Sequence, residues 1–285
     1  MNFNKALSTS GVLQRVDPAL WRDHLYGLTP ERWKGLCNKC FWITGAGTGY
    51  GRSIAVALAA AGARVFITGR RRHKLNETLE EMSALSITTG NCHVVECDIT
   101  KPGEIEMACS KVISLSDSLC GLINNAALPS SGRNYPLQED TLEDWESMLR
   151  TNVTGHWLLT RRVFPHMRKG GQVRVLLITS EAGWASTPGF GPYNITKAAL
   201  NSLAVSMAAE YSSRYPDLDL QINVLNPGEA KTEMNQGSVE SPYSVVSMTM
   251  RLLSQPKGGP NGKFFHRDGR HLSFAYAEAY RKELI

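Results

Sequence analysis

Residues 40–51 read CFWITGAGTGYG, an apolar run that ends in a cluster of glycines. The run Cys40 to Thr44 is typical of a buried strand. The glycines favour a tight turn, because glycine adopts positive φ and lets another group come close to the backbone. Residues 52–63 follow as an alanine-rich helical pattern, and the first N–H groups of a helix attract phosphate. The stretch therefore predicts a strand, a phosphate-binding turn and a helix; the alternative is that the glycines make only a tight turn.

Apolar strands alternate with helical segments along most of the remaining chain. Strands that are apolar throughout and separated by helices are typical of a parallel sheet covered on both faces. The sequence therefore predicts an α/β fold, a doubly wound, mostly parallel Rossmann-type sheet with helices on both faces. The further predicted strands are 64–68, 93–97, 121–124, 173–179 and 220–225, with an edge strand at 262–266, and the further predicted helices are 74–85, 103–115, 142–167 and 193–215.

Residues 1–39 differ from the rest, because they combine aromatic residues with mixed charges and contain no long apolar run. Asp17-Pro18 and Thr29-Pro30-Glu31 are typical of helix starts, with a capping side chain followed by a proline in the first turn. We expect an N-terminal helical arm of two short helices that packs on another surface. Residues 40–285 are then expected to form a single Rossmann-type catalytic domain.

Composition restricts the class of protein. The chain has 285 residues, of which 42% are hydrophobic and 20% are charged, enough to bury a large core. The net charge of +5 is too small for a nucleic-acid-binding protein unless the charge is clustered. The longest apolar run, 54–61, is far shorter than the roughly 20 residues that span a bilayer, so we expect no membrane segment.

The cysteines and the N-terminus predict a cellular compartment. Six cysteines in a chain of this length do not form a disulfide framework, and residues 1–10 contain no apolar core of a secretory signal. We therefore expect a reduced, cytoplasmic protein. Cys37 and Cys40 form a CxxC pair without a second pair, so zinc or redox chemistry is the weaker interpretation and no metal site is predicted.

Tyr193 and Lys197 lie four residues apart within a predicted helix and therefore share one face. A free phenol with a pKa of about 10 is a poor base at neutral pH, and a nearby ammonium lowers that pKa. A tyrosine of lowered pKa is suited to general acid–base catalysis. The alternative is a surface tyrosine–lysine pair that stabilises the helix slightly.

A set of motifs resembles those of the short-chain dehydrogenase/reductase family, in the family's order and over about residues 40–270. The glycine turn reads T-G-x-x-x-G-x-G, residues 193–197 read Y-x-x-x-K, and Ser180 precedes Tyr193 by thirteen residues. Residues 124–127 are similar to the family's N-N-A-G, with Ala127 in place of the glycine. The remaining matches are Cys97-Asp98-Ile99, Asn152 on the long helix, and Asn226-Pro227-Gly228 with Thr232 four residues later.

The resemblance implies a catalytic role for four of these residues. Ser180 would hydrogen-bond the substrate oxygen, and Tyr193 would give or take its proton. Lys197 would lower the pKa of Tyr193 and hold the nicotinamide ribose, and Asn152 would hold a water that links Lys197 to solvent. The residues that the motifs place at the cofactor are Gly45, Gly47, Thr48, Gly49, Tyr50, Gly51, Arg70, Arg71, Asp98, Ile99, Asn125, Ala126, Tyr193, Lys197, Pro227, Gly228 and Thr232.

The end of the second predicted strand decides between the two nicotinamide cofactors. An NAD-preferring site places an acid there, roughly 20 residues beyond the glycines, to bind the ribose 2′-OH. Residues 68–74 read TGRRRHK and contain no acid, with Gly69 at the position of that acid. Arg70 and Arg71 are suited to a 2′-phosphate, because cations at a helix N-terminus are otherwise unfavourable. We therefore expect NADP(H) to be favoured over NAD(H); a solvated basic loop and a nucleic-acid patch are the weaker interpretations.

Together these features predict an NADP-dependent oxidoreductase that interconverts a carbonyl and a secondary alcohol of a small-molecule substrate. One alternative is a ketoacyl reductase on a carrier-bound acyl chain, for which the basic residues Arg161, Arg162, Arg168 and Lys169 would be the landing patch. The other alternative is a non-catalytic NADP-binding regulator, although the complete catalytic set argues against it.

The resemblance also implies a substrate lid and an assembly. Residues 229–256 would form the lid, and the polar residues within 232–244 suggest a polar substrate. The helix 142–167 and the helix after Tyr193 would pair with their copies in a homodimer or homotetramer.

Overall fold

The computed structural model describes residues 21–129 and 137–272, in which strands and helices alternate as the sequence predicts. The strands are β1 (Cys40–Thr44), β2 (Arg64–Gly69), β3 (Cys92–Glu96), β4 (Gly121–Asn124), β5 (Gln172–Ile178), β6 (Asp219–Asn226), β7 (Phe264–His266) and β8 (His271–Leu272). The helices are α1 (Trp21–His24), α2 (Pro30–Lys34), α3 (Gly49–Ala60), α4 (Arg72–Ala84), α5 (Pro102–Ser114), α6 (Leu142–Leu149), α7 (Gly155–Lys169), α8 (Ala182–Ala185), α9 (Pro192–Arg214) and α10 (Val246–Leu253).

The described strands form one sheet in the order β3-β2-β1-β4-β5-β6-β7-β8. Each neighbouring pair from β3 to β7 is parallel, and β8 runs antiparallel to β7. The order reverses between β1 and β4, which is the position where ligands bind in doubly wound folds. The predicted mostly parallel, doubly wound sheet is therefore confirmed.

Apolar side chains cover both faces of the sheet. Phe41 and Ile43 of β1 pack into one buried cluster, whereas Cys40 and Trp42 pack into the other, because successive strand residues point to opposite faces. Helices α3, α4 and α10 contribute to the first cluster, and α5, α7 and α9 contribute to the second. The buried strands explain why the sequence is apolar along their whole length.

The described part of the N-terminal arm packs on its own chain. Thr29 caps α2 by accepting a hydrogen bond from the backbone N–H of Arg32, as its sequence predicts. Tyr26 and Leu36 are buried in the same cluster as α10, and the guanidinium of Arg32 donates to Ser254 Oγ at 3.1 Å. The helix start predicted at Asp17-Pro18 lies outside the described residues.

The predicted helix 142–167 is interrupted in the structure. Helices α6 and α7 are joined by a π-helical turn, Arg150–Thr154, and α7 extends to Lys169. A π turn holds one extra residue, which the apolar periodicity of the sequence does not reveal. Within the described ranges, no helix is both long and apolar enough to cross a membrane.

Candidate active site

A cavity of about 540 Å³ opens at the carboxyl ends of the parallel strands. Its walls contain the turn after β1, the end of β2, the segments after β3 and β4, and the first turns of α9. The structure brings together at this cavity the predicted residues Gly45, Gly47, Thr48, Gly49, Tyr50, Arg70, Arg71, Asp98, Ile99, Asn125, Ala126, Ser180, Tyr193, Lys197, Pro227, Gly228 and Thr232. Gly51 and Asn152 do not line it.

The glycine turn is shaped by two close approaches of the backbone. Gly45 has a φ of +65°, and a Cβ there would lie 2.8 Å from the Cα of Ala126. A Cβ on Gly51 would collide with the carbonyl oxygen of Gly45. Gly51 is therefore needed for packing α3 against the turn, and its contact with the cofactor stays a prediction.

The N-terminus of α3 has no side-chain cap. Thr48 occupies the N-cap position, but its side chain forms no capping hydrogen bond with the helix. The first N–H groups of a helix carry a partial positive charge and bind anions when no side chain caps them. Thr48, Gly49 and Tyr50 line the cavity at this point.

Thr44 and Asn125 tie the ends of β1 and β4 together. Thr44 Oγ1 accepts hydrogen bonds from the backbone N–H groups of Asn125 and Ala126, at 2.9 and 3.0 Å. Asn125 Nδ2 donates to the carbonyls of Thr44 and Gly45, at 2.9 and 3.2 Å. The Asn125 side chain therefore braces the glycine turn. Thr44 is not among the predicted site residues, although its position between the apolar run and the first glycine could have indicated that it belongs to the site.

Ala127 lines the cavity at the position where the family pattern has glycine. Its backbone is not in the left-handed region, since the non-glycine residues of positive φ in the described chain are Leu25, Tyr26, Asn38, Ser86 and Ser186. A Cβ is therefore accommodated here without backbone strain.

Ser180, Tyr193 and Lys197 meet at one wall of the cavity. Ser180 follows β5, and Tyr193 lies in the first turn of α9, where the Ser180 hydroxyl is close enough to act on the pKa of the phenol. Lys197 is buried one turn later, and its Nζ lies 5.4 Å from the centroid of the Tyr193 ring. The same Nζ donates to the carbonyl oxygen of Ile178 at 3.0 Å.

Burial dominates the protonation of this cluster. Desolvation raises the pKa of Tyr193 to about 12, although the nearby Ser180 hydroxyl acts in the opposite direction. Desolvation lowers the pKa of Lys197 to about 8. Burial thus outweighs the lowering contribution of Ser180, and the expected lowering of the Tyr193 pKa by Lys197 stays a prediction. At neutral pH the phenol is protonated.

Asn152 lies in the π turn and bonds to the chain after β4. Its Oδ1 accepts from the N–H of Leu128 at 2.8 Å, and its Nδ2 donates to the Leu128 carbonyl and to Thr196 Oγ1, both at 3.1 Å. Its amide thus holds residue 128 against α9, next to Lys197. The water link between Asn152 and Lys197 stays a prediction.

His156 is a buried residue that the sequence reasoning set aside. Its Nε2 donates to the carbonyl of Ala126 at 2.7 Å, and its Nδ1 lies 3.1 Å from Asn124 Oδ1, so a ring with one proton donates only one of these two hydrogen bonds. Burial, together with the charge of Lys197, lowers the pKa of His156 to about 4, so the ring is neutral at pH 7. Because His156 lies four residues after Asn152, this spacing could have placed both residues on one face of the predicted helix.

The basic run after β2 meets an acid from a distant segment. Arg70 is exposed at the cavity, and Arg71 holds the N-cap position of α4. Arg71 Nη2 lies 2.6 Å from the carboxylate of Glu233, and Lys74 Nζ lies 3.8 Å from it. Glu233 is not among the predicted site residues, and no local sequence signal links it to this run.

The predicted lid, 229–256, divides into two parts. Thr232, Glu233, Met234 and Asn235 line the cavity, so the first part contacts the site. Met248 and Met250 of α10 are buried in the core instead. In the described part of the chain, no three His, Cys, Asp or Glu side chains are grouped so that they could hold a metal ion.

Comparison with known proteins assigns this architecture to a family. The family model for short chain dehydrogenases matches residues 39–242. Dehydrogenase/reductase SDR family member 4 of Sus scrofa is 30% identical over 258 residues, which cover 88% of this chain and 88% of that protein. A 3-oxoacyl-(acyl-carrier-protein) reductase of Aquifex aeolicus is 28% identical, with 82% of this chain and 97% of that protein covered.

Solved structures show the same fold. A short-chain dehydrogenase of Shigella flexneri, complexed with NADP, superposes with a TM-score of 0.74 over 82% of this chain and 99% of that chain, at 22% sequence identity. The extent of the family match and the identity with the Sus scrofa protein lead to one conclusion. This chain belongs to the short-chain dehydrogenase/reductase family and is an oxidoreductase.

Proposed function

We propose that the protein is an NADP(H)-dependent oxidoreductase that interconverts a carbonyl and a secondary alcohol, with Tyr193 as the general acid and base. The observation that carries this proposal is the meeting of Ser180, Tyr193 and Lys197 at one wall of the cavity. A substrate oxygen in contact with both hydroxyls would accept a hydrogen bond from Ser180 and exchange a proton with Tyr193.

The residues at the cavity fit a nicotinamide dinucleotide. The glycine turn at 45–49 offers backbone N–H groups and the uncapped start of α3 to a pyrophosphate. Asp98 and Ile99 after β3 line the part of the cavity where the motifs place adenine, and Pro227 and Gly228 line the part assigned to nicotinamide. When bound, the cofactor supplies or accepts the hydride. The NADP in the Shigella flexneri structure supports this proposal.

At neutral pH the phenol of Tyr193 is in the protonated state that reduction of a carbonyl requires. A Tyr193 phenol with a pKa of about 12 holds its proton and can donate it to a carbonyl oxygen. Ser180 holds that oxygen, and the Lys197 ammonium stabilises the phenolate that remains after proton transfer. Phe190, Pro129 and Met234 contribute apolar surface to the cavity. Apolar contacts would therefore position the substrate beside its reacting carbonyl.

The carrier-protein alternative is less well supported by the basic residues. Arg162 pairs with Glu106, Arg161 lies over the ring of Trp157 at 5.5 Å, and Arg168 lies over the ring of Tyr215 at 4.6 Å. These contacts are exposed, so they reduce the availability of the cations to an acidic partner without removing it. The name of the Aquifex aeolicus relative is the observation that keeps a ketoacyl substrate as the second candidate.

The Tyr193→Phe variant tests the proposal. We expect kcat with NADPH and a panel of ketones to fall by at least about a hundredfold, because general acid–base catalysis contributes about 10²–10⁴-fold. NADPH binding, followed by fluorescence titration, should change little. Tyr211→Phe in the same helix is the control and should keep its activity. Near-normal turnover by Tyr193→Phe would remove Tyr193 from the mechanism, and a wild-type protein that turns over no carbonyl or alcohol would support the regulator.

A further inference from the structure

Glu233 stands at the tip of a tight turn in the segment that follows β6. The N–H of Thr232 donates to the carbonyl of Asn235 at 3.1 Å, and the N–H of Asn235 donates back to the carbonyl of Thr232 at 3.2 Å. Asn235 also donates to Thr232 Oγ1. These bonds fix the turn, so that Glu233 and Met234 project from it as a pair.

The carboxylate of Glu233 reaches the basic run at the start of α4. It accepts a hydrogen bond from Arg71 Nη2 at 2.6 Å and lies 3.8 Å from Lys74 Nζ. Lys74 also contacts Glu77 at 2.9 Å, and Glu77 in turn pairs with Arg52. Arg71, Lys74 and Glu233 all line the cavity. The Glu233 carboxylate thus lies between the cations of Arg71 and Lys74, beside the basic run 68–74, which contains no acid.

The site that Glu233 occupies has the chemistry of a phosphate site. An arginine fork beside an ammonium binds phosphate oxygens at least as well as it binds a carboxylate. The ion pair is exposed, with 52% of the Arg71 side chain and 44% of the Glu233 side chain accessible to solvent. Exposed ion pairs contribute little free energy, so a stronger anion can displace the carboxylate.

We propose that Glu233 is a specificity-determining residue, an internal anion that occupies the seat of the cofactor's 2′-phosphate and leaves it when that phosphate binds. The inference rests on the proposed use of NADP(H). A cofactor without the 2′-phosphate does not compete with Glu233 and leaves the ion pair closed. The carboxylate therefore weakens the binding of the phosphorylated cofactor only.

Displacement of Glu233 also moves the turn that carries it. Met234 lines the cavity, and the Thr232 side chain packs against the glycine turn, where a Cβ on Gly49 would lie 3.0 Å from Thr232 Cγ2. The 2′-phosphate thus acts on the same turn that contributes to the wall of the substrate cavity.

Isothermal titration calorimetry at low salt tests the inference with two probes, adenosine 2′,5′-bisphosphate and adenosine 5′-monophosphate. We expect Glu233→Gln to bind the bisphosphate about two- to fivefold more tightly than the wild type, because the competing ion pair is gone. Binding of the monophosphate should not change. The control, Glu80→Gln, removes the same charge from an exposed position of α4 outside the cavity and should alter neither affinity.

A second variant shows whether the effect acts through Arg71. In an Arg71→Ala background, Glu233→Gln should no longer tighten binding of the bisphosphate. Unchanged affinity of Glu233→Gln for both probes would overturn the inference. Weaker binding of the monophosphate by Glu233→Gln would also overturn it, because Glu233 would then be the acid that holds the ribose 2′-OH.

The two proposals fail in different measurements. Wild-type protein that binds the monophosphate as tightly as the bisphosphate would contradict the proposed NADP(H) preference. The inference fails instead if the wild-type protein prefers the bisphosphate but Glu233→Gln binds the bisphosphate with the same affinity as the wild type.

Discussion

At Lys197, the charge that the proposed catalysis needs opposes the stability of the fold. Its ammonium is buried beside Tyr193 and donates a hydrogen bond to the carbonyl oxygen of Ile178. A buried ammonium costs free energy that a single neutral acceptor does not return. That cost is reflected in the pKa of Lys197, which burial lowers to about 8. We infer that the position is kept charged for catalysis at the expense of stability.

Lys197→Met should therefore stabilise the fold while it abolishes activity. At pH 7 we expect the free energy of unfolding to rise by roughly 1–3 kcal/mol, because the desolvation of the ammonium exceeds the lost hydrogen bond. Between pH 8 and about 10.5 the unfolded wild type binds more protons than the folded form, so wild-type stability rises with pH relative to the variant. Urea unfolding at pH 7 and 9.5 measures the difference. A variant that is less stable than the wild type at pH 7 would contradict this account.

At the scale of elements, the π turn between α6 and α7 positions two buried polar groups. Asn152 in the turn and His156 one helical turn later both bond to the chain that follows β4. This network fixes the segment from Asn124 to Leu128, which includes Ala126 and Ala127 on the cavity wall. The neutral state of His156 is part of the arrangement, because the ring is enclosed near the Lys197 ammonium.

Acid should destabilise the protein through His156. The folded ring has a pKa of about 4 against about 6.5 in the unfolded chain, so the unfolded state binds more protons in this window. The His156 contribution to the free energy of unfolding should fall as pH falls from 6.5 to 4, by up to about 1.4 kcal/mol per pH unit. The His156→Gln variant keeps hydrogen-bonding groups without this titration and should show a flatter profile in urea unfolding. Parallel profiles for the two proteins would exclude His156 as the cause.

The turn between β2 and α4 is the element that should select the cofactor. Arg70 lines the cavity, and no described residue forms an ion pair or hydrogen bond with its side chain. Arg70→Ala should weaken NADPH binding by about 1.5–3 kcal/mol, the scale of a charged hydrogen bond, and leave NADH binding nearly unchanged. Fluorescence titration with both nucleotides gives the two affinities. The exposed Arg72→Ala in the same run is the matched control, and equal weakening of NADPH and NADH by Arg70→Ala would refute the assignment.

At the scale of the whole molecule, we expect two copies or four to associate through α6, α7 and α9. Leu142 of α6 and Trp157 of α7 are 73% and 40% exposed in the single chain. Light scattering at micromolar concentration should give a multiple of the 31.4 kDa chain mass. Trp157→Asp should lower that mass, whereas Met107→Asp, at an exposed position of α5, should not. The mass of one chain for the wild type would contradict the predicted assembly.

The sequence by itself determined the features that depend on local geometry. The apolar run and glycines of residues 40–51 specified the first strand, turn and helix, because conformational freedom and strand burial are encoded residue by residue. The four-residue spacing of Tyr193 and Lys197 placed them on one helix face. Strand boundaries differed by about a residue, as in β3, which begins at Cys92.

Only the tertiary structure decided the features that depend on distant residues. Glu233 meets Arg71 across 162 positions of sequence, and no local pattern relates them. The π turn that directs Asn152 toward Leu128 has no apolar periodicity of its own. The pKa of Tyr193 rises because desolvation is a sum over every group packed around the ring, and that sum exists only when α9 lies against β5. The sequence therefore determines which residue types stand at the site and at what spacings, whereas packing determines the charge state of the site.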